Sequence, residues 1–150
     1  MIDKRKYSKY VSPWYRYYKV KIRGLKKIYD KLAKTLKILW EGGIHIVAGT
    51  DIPNQALNPG ISLWEELYSY VEAGVNPEEV LRAATSNAAK LMDIDVGIID
   101  IDKKANLVLL HTKPFRESKV EIDKVIIDKQ ILDLNQLELK LKKISMLGYY

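Results

Sequence analysis

The stretch that most constrains this chain is GIHIVAGTD, at residues 43–51. It is a short apolar run that begins after glycine and ends in a small residue, a hydroxyl and a carboxylate. Such a run is typical of a strand buried on both faces of a parallel sheet. Chemistry in parallel sheets lies just beyond the carboxyl ends of the strands. The sequence therefore predicts a buried strand at residues 44–48 and a candidate catalytic carboxylate at Asp51.

An amphipathic helix is predicted immediately before this strand, at residues 24–40. Its leucines and isoleucines recur at three- and four-residue steps, and lysines fill the other face. Gly42 and Gly43 follow, and glycine readily takes the left-handed conformation that ends a helix. A helix, a glycine turn and an apolar strand together form half of a βα repeat.

Two more helices are predicted after Asp51, beyond a loop rich in proline and asparagine. Ser62 and Glu65 have the spacing of a capping box, with Ser62 as the N-cap, and Gly74 is placed to end that helix. The next helix is expected to begin at Asn76, followed by Pro77, and to continue through residue 91.

The remainder of the chain changes character. Short β-type runs at residues 97–101, 105–110 and 124–127 do not alternate with helices, so they are assigned to a small separate sheet. Residues 133–147 have the spacing of an amphipathic helix. The predicted divisions are a basic aromatic segment (1–23), a helix–strand–helix region (24–96), a sheet region (97–130) and a C-terminal helix or tail (131–150).

Composition excludes several classes of protein. The 150 residues contain no cysteine, which excludes disulfides and thiolate metal sites and favours the cytoplasm. No apolar run is long enough to span a membrane, and no apolar signal sequence is recognised at the N-terminus. The net charge of +6 is concentrated partly in residues 1–23, among tyrosines. That segment could bind nucleic acid, but no nucleic-acid-binding motif accompanies it, so a tail followed by the first turns of a surface helix is favoured.

Three stretches together resemble a known family. They are GIHIVAGTD at 43–51, NPGISLWEELYSYVEAGVNPEEVLRAATSNAAKLM at 58–92 and VGIIDIDKKANLVLLHTKP at 96–114. They are similar to the C-terminal end of amidohydrolases, and most of all to imidazolonepropionase-like and prolidase-like metal-dependent hydrolases. The resemblance implies an α/β fold, namely the C-terminal part of a (β/α)8 barrel plus strands of the accompanying β-sandwich.

The resemblance also implies a role for Asp51. The family's aspartate at the tip of the eighth strand binds a divalent metal, often zinc, and accepts a proton from the water that attacks an amide or related C–N bond. The alternative for Asp51 is a carboxylate that caps a turn and accepts backbone N–H bonds. Glu65 and Glu66 are not predicted to act as an acid–base pair, because adjacent helical residues do not share a face.

Other metal ligands of the family, including a His-x-His pair on the first strand, have no counterpart in this sequence. Its two histidines are His45 and His111. His45 would lie about 20 Å from Asp51 along a strand, so we interpret it as a core or barrel-floor residue, and His111 as a surface residue. We therefore expect a truncated or split portion of an amidohydrolase, inactive alone. The alternative is a non-catalytic module that pairs with a complementary N-terminal half or with a second copy.

Overall fold

The computed structural model describes residues 25–52, 57–116 and 120–136. The chain divides into two compact units, with the boundary between Gly97 and Ile98. The described part of the first unit is helical, and that of the second contains a three-stranded antiparallel sheet. Within these residues, no helix combines the length and apolar character needed to cross a membrane. The predicted segment 1–23 lies outside the described residues.

Helix α1 is Leu25–Glu41, which confirms the predicted helix. Its end is a Schellman motif. The Gly43 N–H donates to the Trp40 carbonyl at 3.0 Å, and the Ile44 N–H donates to the Leu39 carbonyl at 3.1 Å. Gly43 has a φ of 77°, the left-handed conformation that this motif requires and that glycine adopts without steric cost. The predicted glycine stop is therefore confirmed.

Helix α2 is Ile61–Glu72, and its beginning differs from the prediction. Gly60 occupies the N-cap, and no side chain caps the helix, so the predicted capping box of Ser62 and Glu65 is wrong. Ser62 is buried in the first turn, where its Oγ accepts the Asn58 N–H at 2.9 Å. Ser62 thus lies inside the helix, and its hydroxyl bonds to a loop residue instead of capping the helix. The predicted end is confirmed, since Gly74 closes a second Schellman motif with a φ of 92°.

The helix predicted from Asn76 to residue 91 is two helices, α3 (Pro77–Ala84) and α4 (Ser86–Leu91). The predicted N-cap is confirmed, because the Asn76 side chain accepts the Glu78 N–H at 2.9 Å. The break lies at Thr85, whose φ of −129° and ψ of −93° are not helical. The Thr85 hydroxyl donates instead to the Leu81 carbonyl at 2.7 Å, a bond that competes with regular helix geometry.

The core of the helical unit is small. Among the described residues, its buried apolar side chains are Leu67, Val75, Val80, Ala83 and Ala89. Leu67 and Val80 are the largest of those that are almost completely buried, with exposures of 2% and 0%. They come from α2 and α3, so the packing of these two helices forms the centre of the unit.

Residues 44–50 form no strand, and the predicted strand at 44–48 is therefore wrong. No other strand lies beside this segment among the described residues, and a single strand has no ladder to join. The helices satisfy its backbone instead. The Ala48 N–H donates to the Ala83 carbonyl at 3.0 Å, and the Asn87 side-chain amide donates to the Ile46 carbonyl at 3.2 Å.

The sheet consists of β1 (Leu107–Leu110), β2 (Ile122–Ile127) and β3 (Gln130–Leu132), in that order. Two of the predicted β-type runs are thus confirmed as strands, although residues 97–101 form turns and loop and were wrongly predicted. A register shift at Leu109/Leu110 marks a β-bulge between β1 and β2.

Strand β3 was not predicted, because the hairpin that creates it is turned by Asp128 and Lys129. Both residues have positive φ, 48° and 67°, as a two-residue hairpin turn of type I′ requires. The Asn106 side chain accepts the Asp128 N–H at 3.1 Å and ties β1 to this turn. Asp133 follows β3, and its carboxylate accepts two backbone N–H groups of a helical turn at residues 134–136. The rest of the predicted C-terminal helix lies outside the described residues.

Replacing Gly97 with alanine tests the contact between this glycine and the break at Thr85. A Cβ at Gly97 would lie 2.7 Å from the Thr85 carbonyl oxygen, and its φ of 82° already disfavours alanine. Gly43→Ala is the matched control, because Gly43 has a φ of 77° but no atom within 4 Å of the added Cβ. Gly97→Ala should destabilise the chain by about 1–3 kcal/mol more than Gly43→Ala, measured by urea denaturation, because overlap adds to backbone strain. Equal losses would show that the backbone at Thr85 relaxes freely.

Candidate functional site

Residues 44–51 form a segment that is anchored to α3 and α4 by the bonds of Ala48 and Ile46 described above. The candidate site is the end of this anchored segment, at Gly49, Thr50 and Asp51. Its backbone is held by a side chain of helix α2, since Oε1 of Glu66 accepts the Gly49 N–H at 3.0 Å. The same oxygen accepts the hydroxyl of Tyr70 at 2.5 Å. Glu66 and Tyr70 are four residues apart on α2 and therefore share one face of the helix. We call these three contacting residues, Gly49, Glu66 and Tyr70, the Glu66 clamp.

The second oxygen of the Glu66 carboxylate has an unusual environment. Oε2 is buried and accepts no hydrogen bond from the residues that the structure describes. An unsatisfied buried polar atom costs about 1–3 kcal/mol. Glu66 is therefore not the residue that would best stabilise the described helices by themselves.

Tyr70 of α2 connects the Glu66 clamp to helix α1. Its ring lies edge-on to the ring of Trp40, with a centroid distance of 6.1 Å and an interplanar angle of 65°. Burial raises the pKa of the Tyr70 hydroxyl, and the hydrogen bond to Glu66 and the negative charge of Glu66 raise it further. Tyr70 consequently keeps its proton at neutral and moderately alkaline pH, and it remains a hydrogen-bond donor to Glu66.

Asp51 lies two residues beyond the clamped glycine and is exposed. Its φ of 57° places it in the left-handed region, which aspartate tolerates better than most residues. The chain therefore turns sharply at the carboxylate that the sequence singled out. An exposed carboxylate after an anchored segment is accessible to a small molecule or to a further part of a protein.

The histidines lie apart from this site. His45 is exposed, so its interpretation as a core residue is wrong, because no neighbouring strand covers it among the described residues. His111 is exposed, as predicted, and its Nε2 lies 4.0 Å from Oδ1 of Asp123. Of the two adjacent glutamates, Glu66 is the one that accepts the Gly49 N–H.

A metal site cannot be assembled from the part of the chain that the structure describes. Within residues 25–52, 57–116 and 120–136, no three histidine, cysteine, aspartate or glutamate side chains converge in a way that could hold an ion. Zinc sites generally need three or four protein ligands. Asp51 with its described neighbours does not meet that requirement.

Comparison with known proteins defines the class. The sequence matches the amidohydrolase family model over residues 19–132, and the chain belongs to the amidohydrolase family. It is 31% identical over 98 residues to the imidazolonepropionase of Thermoanaerobacter pseudethanolicus. That match covers 61% of this chain and 22% of the relative.

Two solved structures of the same superfamily share the fold of this chain. Enamidase has a TM-score of 0.54 at 22% identity, and the match covers 70% of this chain and 30% of enamidase. An amidohydrolase from Thermotoga maritima has a TM-score of 0.54 at 25% identity, with coverages of 67% and 26%. The chain thus spans less than a third of the length of these relatives.

Proposed function

We propose that the chain supplies the C-terminal part of the active site of an amidohydrolase that hydrolyses C–N bonds in small amide or cyclic amide substrates. The observation that supports this most strongly is the clamped segment ending in an exposed Asp51, in a chain of this family. In the proposed full fold, residues 24–96 complete a (β/α)8 barrel. Residues 97–130 then belong to its small β-sandwich.

Asp51 is proposed to act in catalysis as a carboxylate base. A carboxylate within hydrogen-bond reach of a water can accept its proton as that water attacks the carbonyl carbon. Amidohydrolases generally use divalent metals, and we propose Asp51 as one ligand of such an ion, with zinc the expected metal. The remaining ligands must come from residues other than those described, because the described ones do not form a metal site.

The complementing ligands are proposed to lie on a complementary barrel segment, either joined to this chain or encoded separately, in the cytoplasm. Exposed apolar side chains support such an association. Leu32 and Ile38 of α1 are 62% and 68% exposed, and Ile99 and Ile101 of the second unit are 88% and 84% exposed. A non-catalytic module that self-associates through the same residues is the second candidate.

The proposal predicts that the purified 150-residue chain, without a tag, is inactive and does not retain zinc. After incubation with zinc and dialysis, elemental analysis should find well below one zinc per chain, because one carboxylate ligand is too few. Assays with N-acyl amino acids, dipeptides and lactams should detect no turnover above that of Asp51→Asn. Light scattering on the same sample reports whether the chain self-associates.

Three results would contradict parts of this account. Turnover by the isolated chain that Asp51→Asn abolishes would show that no complementing ligands are needed. Stoichiometric zinc that Asp51→Asn removes would lead to the same conclusion. The third result is a stable monomer that does not bind a hydrophobic dye. It would count against both the complementary segment and self-association.

A further inference from the structure

We propose that Glu66 is a positioning residue, which sets the backbone conformation at Asp51 through the Gly49 amide. The bond from the Gly49 N–H to Glu66 joins helix α2 to the segment two residues before Asp51. The importance of this position for catalysis rests on the function proposed above for Asp51. The positioning itself concerns the backbone and can be measured without any reaction.

The geometry restrains the carboxylate from two sides. Oε1 of Glu66 accepts one bond from the backbone of the segment and one from Tyr70. Hydrogen bonds to an ionised acceptor are stronger than those between neutral groups. The Tyr70 ring is in turn held against Trp40. Glu66 is thus fixed with respect to both α1 and α2, and it transmits that fixed position to Gly49.

Packing alone does not account for a carboxylate here. Oε2 of Glu66 is buried and has no hydrogen-bond donor among the described residues. An apolar side chain of similar length would fill the same space without that unpaired oxygen. An apolar side chain, however, could not accept the Gly49 N–H. Compared with an apolar residue, glutamate at position 66 therefore fixes the position of the segment that leads to Asp51.

A second Glu–Tyr pair, between α1 and α2, serves as a control. The Tyr29 hydroxyl of α1 donates to Oε2 of Glu72 at 3.0 Å. This pair also joins α1 to α2, but Glu72 lies more than one helical turn along α2 from Glu66, the residue that accepts the Gly49 N–H. Glu72→Gln therefore perturbs the contact between the two helices and leaves the bond to Gly49 intact.

The test is NMR on the full chain, with variants Glu66→Ala, Glu66→Gln, Tyr70→Phe and Glu72→Gln. Amide hydrogen exchange is measured at Gly49 and, as core references, at Leu67 and Val80. The three-bond HN–Hα coupling of Asp51 reports its φ of 57°. Glu66→Ala should accelerate exchange at Gly49 about tenfold relative to the core amides, because one charge-assisted hydrogen bond is lost. The Asp51 coupling should move towards the value of a conformationally averaged residue.

The remaining variants separate positioning from stability. Glu66→Gln should restore part of the protection, since its amide oxygen can still accept the Gly49 N–H. Tyr70→Phe, which keeps the ring, should give a smaller acceleration at Gly49, and Glu72→Gln should give none relative to the core. If Glu66→Ala does not fold, exchange at Gly49 in Glu66→Gln and Tyr70→Phe tests the proposal.

The proposal is overturned if exchange at Gly49 rises no more than exchange at Leu67 and Val80 in the Glu66 and Tyr70 variants. It is also overturned if Glu72→Gln has the same effect at Gly49, or if the Asp51 coupling is unchanged in every folded variant. These outcomes are distinguishable from failure of the proposed function. That failure would appear as hydrolysis that does not depend on Asp51, with the NMR results unaffected.

Discussion

Replacing Leu67 with alanine is expected to lower the free energy of unfolding of the helical unit by about 2–5 kcal/mol. Leu67 is 2% exposed, and only four other apolar side chains among the described residues are comparably buried. The unit spans Met1–Gly97, and a unit of this size has a total stability of about 5–15 kcal/mol at usual values per residue. The substitution should therefore remove a large part of that stability and leave a substantial unfolded population at moderate temperature.

Urea denaturation followed by circular dichroism measures this loss. Leu63→Ala is the matched control, since Leu63 lies on the same helix but is 36% exposed, and its loss should be well below that of Leu67→Ala. A loss below about 1 kcal/mol for Leu67→Ala would be inconsistent with a cavity in a close-packed core. The centre of the unit would then lie elsewhere than between α2 and α3.

The helices of this chain were largely predictable from sequence, because their determinants are local. The periodic leucines of α1 and the left-handed glycines Gly43 and Gly74 act within one or two turns of the chain. The Asn76 cap is equally local. The start of α2 was predicted wrongly because the Ser62 hydroxyl has two possible partners, and the bond from Asn58 excludes the capping box.

Local sequence determinants could not establish whether residues 44–48 form a strand. Apolar character and flanking glycines indicate burial, but a strand exists only where another strand supplies the ladder. In the described structure, Ala83 and Asn87 satisfy backbone groups of this segment instead. Strand β3 was missed because a local signal was absent. Its turn at Asp128 and Lys129 lacks the glycine that usually indicates a type I′ hairpin.

Asp51 was selected from sequence as a candidate site residue and remains a prediction, whereas the bond between Glu66 and Gly49 that holds its segment was not predicted. Glu66 lies 17 residues from Gly49, and nothing in the local pattern separates Glu66 from its neighbour Glu65. The spacing of Glu66 and Tyr70, one helical turn apart, was the available signal of a contact on one face. It does not reveal which backbone group that face meets.

Asp51→Asn is expected to have the largest effect on function. The substitution keeps the size of the side chain, and asparagine tolerates the positive φ at this position, so the fold should be unchanged. An amide cannot accept the proton of an attacking water. The loss of a positioned general base lowers the rate by about 10²–10⁴-fold. Asp102→Asn is the matched control, because Asp102 is also exposed and has a φ of 65°.

The most direct measurement is kcat/KM for hydrolysis of N-acyl and cyclic amides by this chain expressed together with the region encoded immediately upstream. We predict a zinc-containing enzyme whose kcat/KM falls by at least about 10²-fold in Asp51→Asn and stays within about twofold of the original in Asp102→Asn, a surface substitution. Hydrolysis that is equally fast in Asp51→Asn would contradict the assignment of Asp51 as the catalytic carboxylate.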